Sequence, residues 1–319
     1  MMRLGIIGYG KMGRLHRQVF EAQGCEVVAS VNRSEQGRAV AAEEGIPETF
    51  ADVDAMLDAA QPDAVICCAG FTDIASVSQG LAASGLPQLI EKPPGLFLID
   101  YEMLSDRMEG IPHCVGLNRR HYSEIEKAVA ALGGVEALTA LRLEWSEAPQ
   151  AFLDRGYAPE AVHRLAMANS LHGLDLLSWL GGACAAPSYD GRTLGAPFRR
   201  QMTLETTGQW GAAISFRSTW DAPAGWRLVM EAEQAQVVCA PMEQAVLYRA
   251  GEPQQALEPD VEDQHFKAGL YRQARHFLDV CEQGLTTHPH KLASCRQGME
   301  WADTLTGIFP VQKEWGNTL

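Results

Sequence analysis

The sequence predicts an α/β protein in two parts: a doubly wound parallel sheet, then a C-terminal α+β domain built on a large, mostly antiparallel open sheet. Three observations carry this. A short apolar run breaks into Gly8-x-Gly10-x-x-Gly13, strand-like and helix-like periods alternate as far as residue 118, and the second half changes to long alternating runs. The 319 residues also exceed the roughly 250 to 300 at which one core usually divides. The expected domains are 1–118 and 119–319.

In the first part the spacing predicts strands over residues 3–7, 26–31, 64–68, 88–91 and 113–116. Helices are expected over 12–23, 35–44, 53–59, 74–84 and 97–108. Turn signals separate them: Gln61-Pro62-Asp63, Ser84-Gly85-Leu86-Pro87 and Gly110-Ile111-Pro112. In the second part, residues 137–145, 198–206, 211–219 and 226–232 alternate as an antiparallel sheet does, and helices are expected over 269–282 and 292–308.

The glycine pattern has the context that makes it a dinucleotide fingerprint, with a strand before it, an amphipathic helix after it and a second strand beyond. Gly8 permits the tight turn, Gly10 lets the backbone approach a pyrophosphate, and Gly13 lets helix and strand pack closely. The helix N-terminus then faces the phosphates. This is the Rossmann signature. Tyr9, Lys11 and Met12 belong to the same loop, and Cys68 and Ala69 end the strand expected beside it.

The end of the second strand usually sets cofactor choice, because a carboxylate there binds the ribose 2′-hydroxyl and repels a 2′-phosphate. Here the chain reads Val31-Asn32-Arg33-Ser34, with an amide, a guanidinium and a hydroxyl in place of a carboxylate. We therefore expect NADP(H) to be preferred, with NAD(H) possible; the competing reading makes Arg33 a solvated residue that starts the next helix.

Glu91-Lys92-Pro93-Pro94-Gly95 ends another parallel strand, at the carboxyl edge where doubly wound sheets bind ligands. A lysine there can donate to a substrate oxygen and, with its pKa lowered by burial and a nicotinamide cation, act as general acid or base. Glu91 is expected beside the cofactor with it.

Taken together, Gly8-Tyr9-Gly10-Lys11-Met12-Gly13, Glu91-Lys92-Pro93, the segment from Val115 to Arg120 and the helix from Leu171 to Gly181 resemble the Gfo/Idh/MocA (glucose-fructose oxidoreductase / inositol dehydrogenase / rhizopine catabolism) family. The resemblance implies pyridine nucleotide-dependent oxidation or reduction of a sugar, polyol or related hydroxy or keto compound. It also implies a C-terminal sheet that covers the substrate and supports a homodimer or homotetramer. Carried over residue by residue, Lys92 matches the lysine beside the nicotinamide, and His172 the histidine that contacts the reacting hydroxyl. An imidazole that titrates near neutral pH suits removal of that hydroxyl's proton. Asp175, at i+3, either orients this ring or serves helix packing.

The chain departs from the family pattern where many members carry an aspartate four residues before the histidine. Here that position is Ala168, followed by Asn169, which can supply an orienting hydrogen bond. Cys68-Ala69-Gly70-Phe71-Thr72-Asp73 likewise lacks the Thr-Pro and histidine common after the strand. These departures keep two alternatives open: a dinucleotide-binding sensor of reduced activity, and a reductase of an imine or enone.

Asn118, Arg120 and Tyr122 fall where the resemblance puts the substrate; Arg120 and Tyr122 either bind a carboxylate, phosphate or hydroxyl or form structural pairs. Trp145 and residues 152–157 either stack on sugar rings or pack the core. No metal is expected: His163 and His288-Pro289-His290 lack cysteine or carboxylate partners in ligand spacing, and hydride transfer to a nicotinamide needs none. The net charge of −14, from 40 acidic against 26 basic residues, argues against nucleic acid. No segment reaches about 18 uninterrupted apolar residues, so a cytoplasmic protein without a membrane span is expected. The eight cysteines read as reduced core thiols.

Overall fold

In the computed structural model, residues 1–195, 198–223 and 225–310 are described; residues 311–319 of the second expected domain lie outside them. The chain divides into two compact units, Met1–His121 with Glu262–Ser294, and Tyr122–Val261 with Cys295–Leu319. The first division falls three residues beyond the expected boundary. Residues 262–294, expected in the second domain, return to the first unit because the helix Leu270–Gln283 packs its apolar face on the first sheet's helices, Phe277 meeting Phe20 edge-on at 6.0 Å.

The first unit holds six parallel strands, β1 (Arg3–Ile7), β2 (Glu26–Val31), β3 (Glu48–Phe50), β4 (Ala64–Cys67), β5 (Gln88–Glu91) and β6 (His113–Gly116), in the order β3-β2-β1-β4-β5-β6. The helices α1 (Lys11–Glu21), α2 (Glu35–Glu43), α3 (Val53–Ala60), α4 (Ile74–Leu81) and α5 (Leu98–Arg107) cross over between them. Strand order reverses between β1 and β4, and the carboxyl ends of a doubly wound sheet open a crevice at that switch point. The central strands are buried on both faces, which is why β1 and β4 read as largely apolar runs; β5 buries Gln88 and Glu91 as well. β3 was not expected: Glu48-Thr49-Phe50 is a short edge strand with no buried residue, so it has no hydrophobic period.

The second unit is built on eight strands: β7 (Ala140–Trp145), β8 (Ser188–Thr193), β9 (Arg200–Thr207), β10 (Ala213–Thr219), β11 (Arg227–Ala232), β12 (Ala235–Cys239), β13 (Ala245–Arg249) and β14 (Gln255–Leu257). Their order is β14-β13-β12-β11-β7-β10-β9-β8. All neighbours are antiparallel except β7 and β10. β7 and β10 alternate buried and open residues, as a sheet covered on one face does. The helix Leu171–Gly181 supplies cover at close range: a Cβ on Gly173 would stand 2.5 Å from Leu143, and one on Gly181 would stand 2.4 Å from Ile214. Four strands, β8 and β12 to β14, escaped the sequence pattern. β8 is polar and the others are short.

Candidate functional site

The candidate site begins at the turn after β1. Gly8 has φ of +85°, and a Cβ there would fall 2.4 Å from the Cys68 carbonyl oxygen. Only glycine serves both the left-handed backbone and the approach to the end of β4. Gly13 is equally confined, since its Cβ would sit 2.5 Å from the Gly8 oxygen. A Cβ on Gly10 would meet nothing within 4 Å, so the first turn of α1 faces open space. Gly10 is the N-cap of that helix and carries no side-chain cap, which leaves backbone N–H groups available to an anion.

Next to this turn lies a cleft of about 610 Å³, lined by Gly8 and Gly10, by Asn32, Arg33 and Ser34 after β2, and by Cys68 and Ala69 after β4. Seven of the expected cofactor residues therefore share one wall system. Their roles differ. The Asn32 Oδ1 accepts the Tyr9 N–H at 2.9 Å and fixes the glycine turn to the end of β2. Ser34 Oγ accepts the Gly37 N–H at 3.1 Å as the N-cap of α2. Arg38 donates to the carbonyls of Asn32 and Arg33, both at 2.9 Å, and braces the same corner. Tyr9 lends backbone only: its ring is buried and its hydroxyl accepts from Arg17 at 2.9 Å.

Arg33 reaches across the cleft mouth to Asp73, Nη2 to Oδ2 at 2.7 Å, with its own side chain 84% exposed. A carboxylate absent from the end of β2 is thus supplied from the start of α4, forty residues further on. Sequence spacing cannot show such a partner.

The Glu-Lys-Pro turn is anchored from below. Glu91 is buried, and its Oε1 lies 2.7 Å from Nε2 of the buried His16 on α1, while its Oε2 accepts the Lys92 N–H at 3.1 Å. Burial alone raises the Glu91 pKa. The His16 hydrogen bond and charge, with Lys92 and Lys267, outweigh it and hold the carboxyl below its ordinary value. Glu91 is therefore a fixed anion beneath Lys92. The Lys92–Pro93 peptide is cis. Lys267 was missed by sequence reasoning: its Nζ lies 3.5 Å from Met12 Sδ, a cation at the first turn of α1 that comes from a distant segment. Beside the cleft, burial and the Glu91 charge push the Cys68 thiol well up, so it stays protonated.

Of the substrate residues, those in the first unit are committed internally. Asn118 Nδ2 donates to the Ala268 carbonyl at 2.9 Å. Arg120 donates to Pro289 O at 3.1 Å and to Ser294 Oγ at 2.8 Å, with a further bond to Ser294 O at 3.1 Å.

In the second unit, a segment of π-helix, Ala166–Ser170, leads into Leu171–Gly181, which carries the buried His172 and Asp175. Wide turns of this kind recur at functional sites. Asn169 does not stand free to meet a ligand, because its Nδ2 donates to Glu147 Oε2 at 2.8 Å. Glu147 is the residue the sequence concealed. It is 3% exposed, and its Oε1 also accepts from Ser170 Oγ at 2.6 Å and Trp145 Nε1 at 2.8 Å. A buried carboxylate thus stands against the very turn where Ala168 replaces the family's aspartate. Trp145 is buried and stacks on Trp226 at 4.0 Å and 7°, and Trp226, with Glu147 and Glu243, lines a cavity of about 500 Å³. Tyr122 is buried and donates to Glu243 at 3.1 Å. Asp175 is packed against the helix Arg296–Gly307, where a Cβ on Gly298 would stand 3.0 Å from its Cα. His163 serves structure, taking a 2.6 Å contact from the Arg200 guanidinium.

Residues 2–110 match the family model described as "Oxidoreductase family, NAD-binding Rossmann fold". The rhizopine catabolism protein MocA of Rhizobium meliloti is 27% identical over 188 residues, which cover 56% of this chain and 57% of that protein. The chain thus spans little more than half the length of the curated relatives it matches. Among solved structures, UDP-N-acetylglucosamine 3-dehydrogenase GnnA from Acidithiobacillus ferrooxidans superposes with TM-score 0.78 at 21% identity, covering 96% of this chain and 97% of that one. A levoglucosan dehydrogenase in complex with NADH superposes with TM-score 0.80 at 15% identity, covering 96% of each chain, a likeness of fold. Residues 2–110 thus match the NAD-binding Rossmann domain of this oxidoreductase family, and over little more than half its length the chain is similar to MocA.

Proposed function

We propose that the protein is an NAD(P)-dependent oxidoreductase that moves a hydride between a nicotinamide and the carbinol or carbonyl carbon of a sugar, polyol or related compound. The observation that carries this reading is the cleft at the strand switch point, where an uncapped helix N-terminus stands over a glycine open to 4 Å. The first turn of α1, with Lys11 and Met12, would hold the dinucleotide pyrophosphate, and Lys267 would add a cation there. The cleft between Asn32 and Ala69 would take the adenosine. The nicotinamide supplies hydride chemistry when bound; this chain's residues bind it, orient it and handle the substrate's proton. Lys92 donates to the reacting oxygen, and His172 takes or returns the hydroxyl proton.

Cofactor preference follows from Arg33. An exposed ion pair contributes only about 0–1 kcal/mol, so a dianionic 2′-phosphate draws Arg33 away from Asp73. We therefore propose that NADP(H) binds more tightly than NAD(H), and that NAD(H) is still accepted when Asp73 holds Arg33. Paired titrations with NADPH and NADH at one ionic strength test this, followed by a screen of sugars and polyols for change in nicotinamide absorbance. Binding of neither nucleotide rejects the reading.

A second reading is favoured by one observation: Ala168 carries no carboxylate and Asn169 is tied to Glu147. In that case the chain binds dinucleotide and substrate without turnover, as a sensor. Tight NADPH binding with no absorbance change across the screen selects it.

A further inference from the structure

The first unit contains a histidine-rich patch that the proposed hydride transfer does not use. His276 lies on the helix Leu270–Gln283, His288 on the loop that follows it, and Cys114 on β6. One ring nitrogen of each histidine and the Cys114 Sγ lie within 4.8 Å of one another. From this geometry we propose that Cys114, His276 and His288 form a Zn2+ site, with solvent as the fourth ligand.

The spacing agrees with the ion. Nε2 of His276 and Nδ1 of His288 are 3.3 Å apart, and two nitrogens bound at about 2.0–2.1 Å in a tetrahedron stand about 3.3 Å apart. His288 is also prepared as a ligand. Its Nε2 lies 2.8 Å from the His113 carbonyl oxygen, to which it donates its proton, so the ring presents Nδ1 with its lone pair inward. That outer bond to a backbone carbonyl is the usual way a metal-bound imidazole is oriented.

The donor set fits a borderline-soft dication: two imidazoles and one thiolate. Cys114 is 1% exposed, whereas both histidines are half-buried, so an ion enters from the histidine side. On binding, the Cys114 S–H bond breaks, its electron pair forms the sulfur–zinc bond and the proton leaves to solvent. The thiolate offsets one of the two metal charges. This matters because Lys291 and Arg120 add positive charge nearby and Asp279 returns a single negative one. Without zinc, the His288 Nδ1 lies within reach of both the His276 ring and the His290 N–H, at 3.2 Å from the latter. The metal must displace these hydrogen bonds. His288-Pro289-His290 gave no ligand spacing in the sequence because Cys114 and His276 arrive from other elements.

The test uses tag-free full-length protein, stripped with chelator and titrated with Co2+ as a spectroscopic probe, then with Zn2+. One Co2+ per chain is expected, with visible d–d absorption and a near-ultraviolet thiolate-to-cobalt band. Zn2+ should displace it and raise Tm by about 5 °C at saturating metal. C114S should abolish the charge-transfer band, and H288N should weaken binding at least tenfold, while NADPH binding persists in both. Absence of a thiolate band in the wild-type protein overturns the proposal whether or not the variants fold, as does a band that survives C114S. Because the readouts are metal spectra and thermal stability, they stand apart from any test of turnover.

Discussion

Nε2 of His16 and Oε1 of Glu91 lie 2.7 Å apart with both side chains buried, so the helix after the glycine turn is tied to the turn that carries Lys92. One interaction thereby fixes the two halves of the cofactor end of the fold. Removing one partner of a buried, hydrogen-bonded pair costs about 3–5 kcal/mol, and Glu91→Leu should destabilise by that amount. Glu91→Gln keeps a neutral acceptor for His16 and should cost about 1–3 kcal/mol. The folded carboxyl titrates below its ordinary value of 4.5. Its charged form therefore stabilises fully above about pH 4.5, and the contribution is lost as pH falls through the lower folded value. Urea unfolding of wild type and Glu91→Gln at pH 7 and in stronger acid checks this. The gap between them should narrow in acid, and a gap that widens rejects it.

Gly8 and Gly10 are predicted to fail in different ways. Gly8→Ala forces a side chain into φ +85° and against a carbonyl oxygen at 2.4 Å, so it should lower stability as well as nucleotide affinity. Gly10→Ala meets nothing in the protein within 4 Å and should leave Tm nearly unchanged, yet it fills the space a pyrophosphate needs. Calorimetry and NADPH titration of the two variants separate them. A Gly10→Ala protein that binds NADPH normally would remove the pyrophosphate from this turn.

What the sequence made legible was local. Gly8-x-Gly10-x-x-Gly13 and Glu91-Lys92-Pro93 are contiguous, and each follows or ends a buried parallel strand, so five of the six strands of the first sheet could be read directly. Partners that arrive from a distance could not be read. Asp73 meets Arg33, Glu147 meets Asn169, and Lys267 reaches α1 only because the fold brings separate segments together. The excursion of residues 262–294 into the first unit was hidden for a like reason: an amphipathic helix shows that it has a core face but not which core it covers.

The Arg33–Asp73 pair yields opposite predictions for its two members. Arg33→Ala removes a charge-assisted donor to a 2′-phosphate and should weaken NADPH binding by about 10- to 100-fold while changing NADH binding little. Asp73→Asn releases Arg33 and removes a negative charge from the cleft mouth, so the NADPH-to-NADH affinity ratio should rise. Titrations at fixed low salt measure both, because exposed charges are screened at higher ionic strength. If both variants leave the ratio unchanged, Arg33 takes no part in cofactor choice.

His163 should give the second unit a stability that depends on mild acid. Burial, followed by the charges of Arg200 and Arg164, lowers its pKa from 6.5 to about 4. The ring faces the Arg200 guanidinium at 2.6 Å as a neutral acceptor. Because the unfolded ring takes up a proton at higher pH than the folded one, the contribution is complete above pH 6.5 and is lost as pH falls toward 4. His163→Gln should therefore be less stable than wild type at neutral pH, with the difference shrinking across that window. Denaturant titrations at several pH values follow it, and a constant difference would show that the ring does not titrate with unfolding.

Lys92 is predicted to act on the reaction rather than on nucleotide binding. Glu91 holds the turn beneath it through the backbone N–H of Lys92 itself, so Lys92→Ala should leave the turn and the adenosine cleft in place. Loss of a positioned proton donor typically costs about 10²- to 10⁴-fold in rate. We expect kcat and kcat/KM to fall together by such a factor, with NADPH affinity within about twofold of wild type, the pattern of an interaction made in the transition state. Lys92→Arg should not restore the rate, because a guanidinium keeps the charge but does not give up a proton near neutral pH. Recovery of turnover in Lys92→Arg would mean that the lysine serves only as a charge. Full turnover in Lys92→Ala would move the proton chemistry elsewhere, with His172 the first residue to substitute next.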